Sequence, residues 1–162
     1  MKSANMMILI SGVLSMMSSN LSYADLGAFE AAGDVGRVSL PGSARYDAGA
    51  SQYRITGSGG NIWGSEDAFH FVWRKVPGDL RLSARVAFEG SGGDPHRKAG
   101  WMVRQSLEAD APYVDAVVHG DGLTSLQYRM QAGGSTAEIQ SPVKAPQAIL
   151  LERNGDLFTL SV

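Results

Sequence analysis

Apolar and polar residues alternate with a period of two along much of this chain. In "DLRLSARVAF", Leu80, Leu82, Ala84, Val86 and Phe88 share one face, and Arg81, Ser83, Arg85 and Ala87 the other. In "LTSLQYRM", Thr124, Leu126, Tyr128 and Met130 oppose Leu123, Ser125, Gln127 and Arg129. A period of two predicts strands with two chemically distinct faces. The same reading picks out "ARYD", "QYRITG", "NIW", "DAFHFVWRKV", "KAGWMVRQSL", "PYVDAVVHG", "TAEIQS", "AILLERNG" and "LFTLSV", with Gly, Pro or Asp punctuating the gaps. No stretch after the N-terminus sustains a helical period, and the best helical segment, "SLEADAP", is short and ends in proline. Short strands at regular spacing predict an all-β sandwich or barrel. The turns "VPGD" and "RNGD" are expected to join neighbouring antiparallel strands, the second through the Asn-Gly pair that favours a type I′ turn.

One strand carries bulk on both faces. In "DAFHFVWRKV", Phe69, Phe71 and Trp73 point one way and His70, Val72 and Arg74 the other. The aromatic face is expected in the core. His70 and Arg74 are assigned to the polar sheet face.

The N-terminus has a different grammar. Met1 and Lys2 precede an apolar run from Met6 to Met17, followed by "SSNLSYA" with Ser22 and Ala24 at the small-residue cleavage positions. This is the pattern of a cleavable signal peptide over residues 1–24, cut after Ala24. The apolar run is shorter than the ~20 residues of a bilayer span. Residues 25–162 are therefore read as one domain, secreted or periplasmic. The chain has no cysteine, so its core must hold it without disulfides. Its net charge of −2 and lack of a basic run argue against nucleic acid and anionic membrane surfaces as partners.

In order, "DVGRVSLPGSARYDAGASQYRITGSGGNIWGSEDAFHFVWRKVPGDLRLSARV", "KAGWMVRQSL", "VHGDGLTSLQYR" and "LLERNGDLFTLSV" resemble the concanavalin A-like, laminin-G-like jelly-roll domains of bacterial secreted proteins. These include the family labelled "regulation of enolase", which has no settled activity. The resemblance runs from Gly33 to Val162. It implies a two-sheet antiparallel jelly roll with one concave face, on which better-known relatives bind or cleave polysaccharides. It also implies closing strands after "RNGDLFTLSV", so the chain is expected to be C-terminally truncated.

Candidate chemistry is sparse. Glycoside hydrolysis needs two carboxyl groups flanking the bond, and no E-x-D-x-x-E spacing occurs; Glu66 and Asp67 are adjacent, and Asp115 stands alone on its strand. There is no G-x-S-x-G elbow, and "GSGGN" lacks the Lys and helix of a phosphate loop. Scattered His70, His96 and His119 do not suggest zinc. A structural calcium ion at Asp25, Asp34 or Asp156 would fit the jelly-roll resemblance; no other cofactor is expected. Sugar recognition asks for aromatic platforms and planar hydrogen-bonding groups. Trp63 is the expected platform, and His70, Arg74, Arg104, Asp115, His119, Gln127 and Arg129 the expected ligand-binding groups. The function expected is an exported, non-catalytic carbohydrate-binding module. The alternative is a cell-envelope structural or protein-interaction module, and the third reading a glycoside hydrolase.

Overall fold

Every run quoted for its alternation forms strand in the computed structural model, which describes residues 26–90 and 92–162. The expected signal peptide and Asp25 lie outside the described residues. The strands in chain order are β1 (Ala31–Val35), β2 (Ser43–Asp47), β3 (Gln52–Thr56), β4 (Ile62–Trp63), β5 (Glu66–Asp67), β6 (Phe69–Trp73) and β7 (Leu80–Ala84). They continue with β8 (Lys98–Arg104), β9 (Tyr113–His119), β10 (Thr124–Arg129), β11 (Ala137–Gln140), β12 (Ile149–Asn154) and β13 (Leu157–Ser161). No helix occurs among the described residues, and none of residues 106–112 is helical.

Two antiparallel sheets form the body. One is the meander β11-β10-β9-β8, and the other has the order β13-β12-β7. They pack as a sandwich, with β12 lying over β9 and β8, and β13 over β10. The core between them is built from Ala116 and Val118 of β9 and from Ile149 and Leu151 of β12, all buried. Smaller pairs, β1-β6, β2-β3 and β4-β5, complete the fold.

The two expected hairpin turns part company here. β6 pairs with β1 and β7 with β12, so "VPGD" carries the chain between sheets rather than between neighbours. "RNGD" does join the paired strands β12 and β13, with Asn154 opposite Leu157. Its positive φ falls on Gly155 (58°), while neither Asn154 nor Asp156 has one. That places glycine at the first central position, as in a type II′ turn rather than I′.

β1 and β5 are strands that alternation does not reveal. "AAGDV" has small residues where strands usually carry bulk, but it pairs along the whole of β6. Gly33 lies opposite Phe71, and a Cβ there would touch the Trp73 ring at 3.4 Å. Small residues on β1 thus leave room for the ladder of Phe69, Phe71 and Trp73, whose ring centroids are 5.5 and 5.8 Å apart. The three rings are half-buried. On β6 it is Val72, on the opposite face, that is buried.

Candidate functional site

Alternation and register decide which side chains share the meander's second face. Met102, Asp115, Gln127 and Glu138 form one row across β8, β9, β10 and β11, because each is the cross-strand partner of the next. Arg104, Tyr113 and Arg129 form the row on one side. Lys98 and His119 pair nearer the other end. Five of the expected ligand-binding groups, Arg104, Asp115, His119, Gln127 and Arg129, therefore do lie on one sheet face.

That face is not open to solvent. Asp115 is 0 % exposed, Gln127 and Arg129 1 % and His119 4 %. On β10 the apolar Leu126 and Tyr128 are more exposed than the polar Ser125, Gln127 and Arg129 between them. The cover is the segment holding β4 and β5. Here Gly64, with φ of 71°, makes the tight link between paired Trp63 and Glu66. Its carbonyl accepts hydrogen bonds from Arg129 Nε (3.2 Å), Arg129 Nη2 (3.0 Å) and Thr136 Oγ1 (3.1 Å).

The layer divides into two halves with different chemistry. At the first, Asp67 receives Arg129 through both oxygens, at 2.6 and 3.0 Å, and Arg104 at 3.2 Å. All three side chains are at most 2 % exposed. Arg104 also lies over the Phe69 ring, and Arg129 over Tyr113. Both arginines are thus spent on an internal acid. They hold the β4–β5 segment down and have no fork left for a ligand. Burial pushes the Tyr113 hydroxyl well above its ordinary value.

At the second half, hydrogen bonds run across three strands. Lys98 Nζ donates to the Gln127 Oε1 and to the Ile62 carbonyl, both at 3.0 Å. Gln127 Nε2 donates to Glu138 Oε1 at 2.8 Å, and Gln140 Nε2 to Glu138 Oε2 at 2.8 Å. The indole of Trp63 stands 5.7 Å from Lys98 Nζ and is 43 % exposed. Asp115 lies between Lys98 and Gln127 in the weave, yet neither of its oxygens has a hydrogen-bond partner within the protein. Nor has His119 Nδ1, although the other ring nitrogen lies 3.4 Å from Gln127 Nε2.

The electrostatics follow from this burial. Desolvation drives the Asp115 carboxyl well above the ordinary carboxylate value, with the Lys98 ammonium drawing it partly back. Burial also lowers Lys98, against the pull of Asp115 and Glu138. His119 is lowered by burial and then by Lys98, which favours the neutral imidazole. Burial would raise Glu138, but the amides of Gln140 and Gln127 outweigh it and keep it below its ordinary value. The layer therefore brings two carboxyl groups, an imidazole, an amide and an amine together, which offers both hydrogen-bond donors and acceptors.

The remaining expected groups are elsewhere. His70 belongs to the β1-β6 pair and faces Asp34, with Nδ1 2.8 Å from Asp34 Oδ1. The Asp34 carboxylate also accepts the Gly42 N–H, and the His70 and Gly42 contacts together hold its pKa below the ordinary value. Arg74 is exposed and reaches the Ala28 carbonyl at 3.4 Å. His70 and Arg74 thus do not join Arg104 and the others on one polar face, because β6 is paired outside the meander. Asp34 is occupied by His70 and Gly42, and Asp156 sits exposed in the β12–β13 turn. Among the described residues no three His, Cys, Asp or Glu side chains gather to hold a metal ion, and no helix is long and apolar enough to cross a membrane. Lys98 and Glu138 escaped sequence reading. Nothing in the local sequence marks either residue, and only the register brings both onto this face.

Comparison with protein-family models, with curated proteins and with solved structures finds no match to this chain.

Proposed function

We propose that this chain is a non-catalytic carbohydrate-binding module of the concanavalin A-like jelly-roll type, exported from the cell, with its site at the Lys98 half of the polar layer. One observation carries this reading: the Trp63 indole, 43 % exposed, stands 5.7 Å from Lys98 Nζ at the edge of the polar layer, where Glu138 also reaches solvent. A ligand carrying several hydroxyls offers both donors and acceptors to the half-buried Lys98 and Glu138. The half-exposed Trp63 supplies the apolar face on which a pyranose ring stacks. Lys98 and Glu138 fix its orientation, with the buried Gln127 amide holding the two in place. Arg104 and Arg129 play no part in contact and act by seating the cover.

The test is a glycan array with the purified chain, followed by titration of any hit against Trp63→Ala and Glu138→Gln. Both residues reach solvent, so the variants keep the fold. Each is expected to weaken binding about tenfold or more while leaving the melting curve in place. A folded chain that binds no glycan removes this reading and leaves the protein-interaction module of the cell envelope.

A further inference from the structure

The β4-β5 hairpin turns one of its two cross-strand pairs outward. Ile62 pairs with Asp67, and Trp63 with Glu66. The first pair is buried under the cover, so the alternation of strand side chains sends the second toward solvent. Directly opposed residues stand ~5 Å apart at their Cβ atoms. The Glu66 carboxylate therefore flanks the exposed part of the Trp63 indole.

Neither acid of this site is matched by a cation at contact distance. Glu66 is exposed and, among the described residues, makes no ion pair. Glu138 accepts only the amides of Gln127 and Gln140, and these neutral donors favour its carboxylate without cancelling the charge. The ammonium of the site, Lys98, is tied to the Gln127 side chain and the Ile62 carbonyl. Its place beside the indole shows that a cation is accommodated against this ring. Two carboxylates thus outnumber one tethered ammonium around Trp63. The ring quadrupole and a carboxylate both draw positive charge, whereas an anionic sugar meets both as repulsion. A neutral sugar gains stacking and hydroxyl bonds alone.

We propose, resting on the glycan reading of this site, that it prefers amino sugars with a free, protonated amine, and that Glu66 determines the preference by pairing with that amine while the ring stacks on Trp63. The test is calorimetric titration of the full chain in slightly acidic, low-salt buffer with three β-linked hexamers: glucosamine, N-acetylglucosamine and glucose. They share a backbone and differ only in the group on the second sugar carbon. The glucosamine hexamer is expected to bind about tenfold tighter than the glucose hexamer, and to lose that margin in high salt. Glu66→Gln changes an exposed position and is expected to cut the margin to about threefold, leaving affinity for the glucose hexamer unchanged. Asp156→Asn removes an exposed acid from the β12–β13 turn of the opposite sheet and is expected to keep the margin whole. Equal affinity for the three hexamers, tighter binding of the acetylated one, or a margin that Asp156→Asn cuts as deeply as Glu66→Gln overturns the amine preference and leaves the glycan site standing. So does failure to bind the glucosamine hexamer beside a hit on the glycan array. A folded chain that binds no hexamer and nothing on the array loses both readings.

Discussion

Asp67→Asn lowers the free energy of unfolding by about 3–5 kcal/mol, the usual cost of breaking a buried ion pair from one side. The substitution keeps the shape of the side chain and removes only its charge. What remains is two guanidinium groups, Arg104 and Arg129, at 2 % and 0 % side-chain exposure with no carboxylate between them. Arg129 keeps carbonyl partners at Gly64, Gly134 and Ala111. Dipoles of this kind do not replace a counter-ion in a low-dielectric layer. Urea denaturation of wild type and variant measures the difference. A loss under about 1 kcal/mol would mean that water reaches the arginines and that the triad behaves as a surface pair. Replacing Asp67, Arg104 and Arg129 together by apolar residues is expected to restore much of the loss, because the penalty belongs to the stranded charges.

Asp115→Asn changes the pH dependence of stability in the opposite sense. Burial raises the Asp115 carboxyl above its unfolded value, so the folded chain binds this proton more tightly than the unfolded chain. The associated stability is fully present below the unfolded value of about 4, and is lost as pH rises through the folded one. Within that window the wild type loses up to about 1.4 kcal/mol per pH unit from this group. Asparagine has no proton to lose. The variant should therefore match the wild type near pH 4 and exceed it near pH 7, with a flatter profile between. Chemical denaturation across that range reads the slopes, and parallel profiles would show that Asp115 is ionised and solvated in the folded state.

The all-β class and nearly every strand were legible in the sequence because alternation is a local signal. The face that Arg104, Asp115, His119, Gln127 and Arg129 each take on their own strand was legible for the same reason, while the register that aligns them was not. Nor was their exposure. A polar strand face reads the same whether water or another segment covers it, and the cover here is a two-residue hairpin, β4-β5, anchored by Asp67. Beside Glu66 in the sequence, Asp67 looks like half of an ordinary acidic pair; only the fold buries one and exposes the other. His70 shows the complementary failure. Its strand resembles its neighbours in pattern, but pairing with the weakly patterned β1 takes it out of the meander, and no local feature announces that choice.

The hairpin cover also sets an order of events. β8, β9, β10 and β11 are consecutive strands, so the meander closes short loops and forms early. Asp67 meets Arg104 37 residues along the chain and Arg129 62 residues along. Such contacts come at a greater cost in loop closure and wait until their two cations have already been set side by side. The two arginines thus spend the folding reaction in water and are dehydrated only at its end. The charge on Asp67 then acts after the barrier, so its removal speeds unfolding and leaves refolding nearly unchanged. The ion triad works as a latch that slows escape from the native state, with little influence on how fast that state is reached.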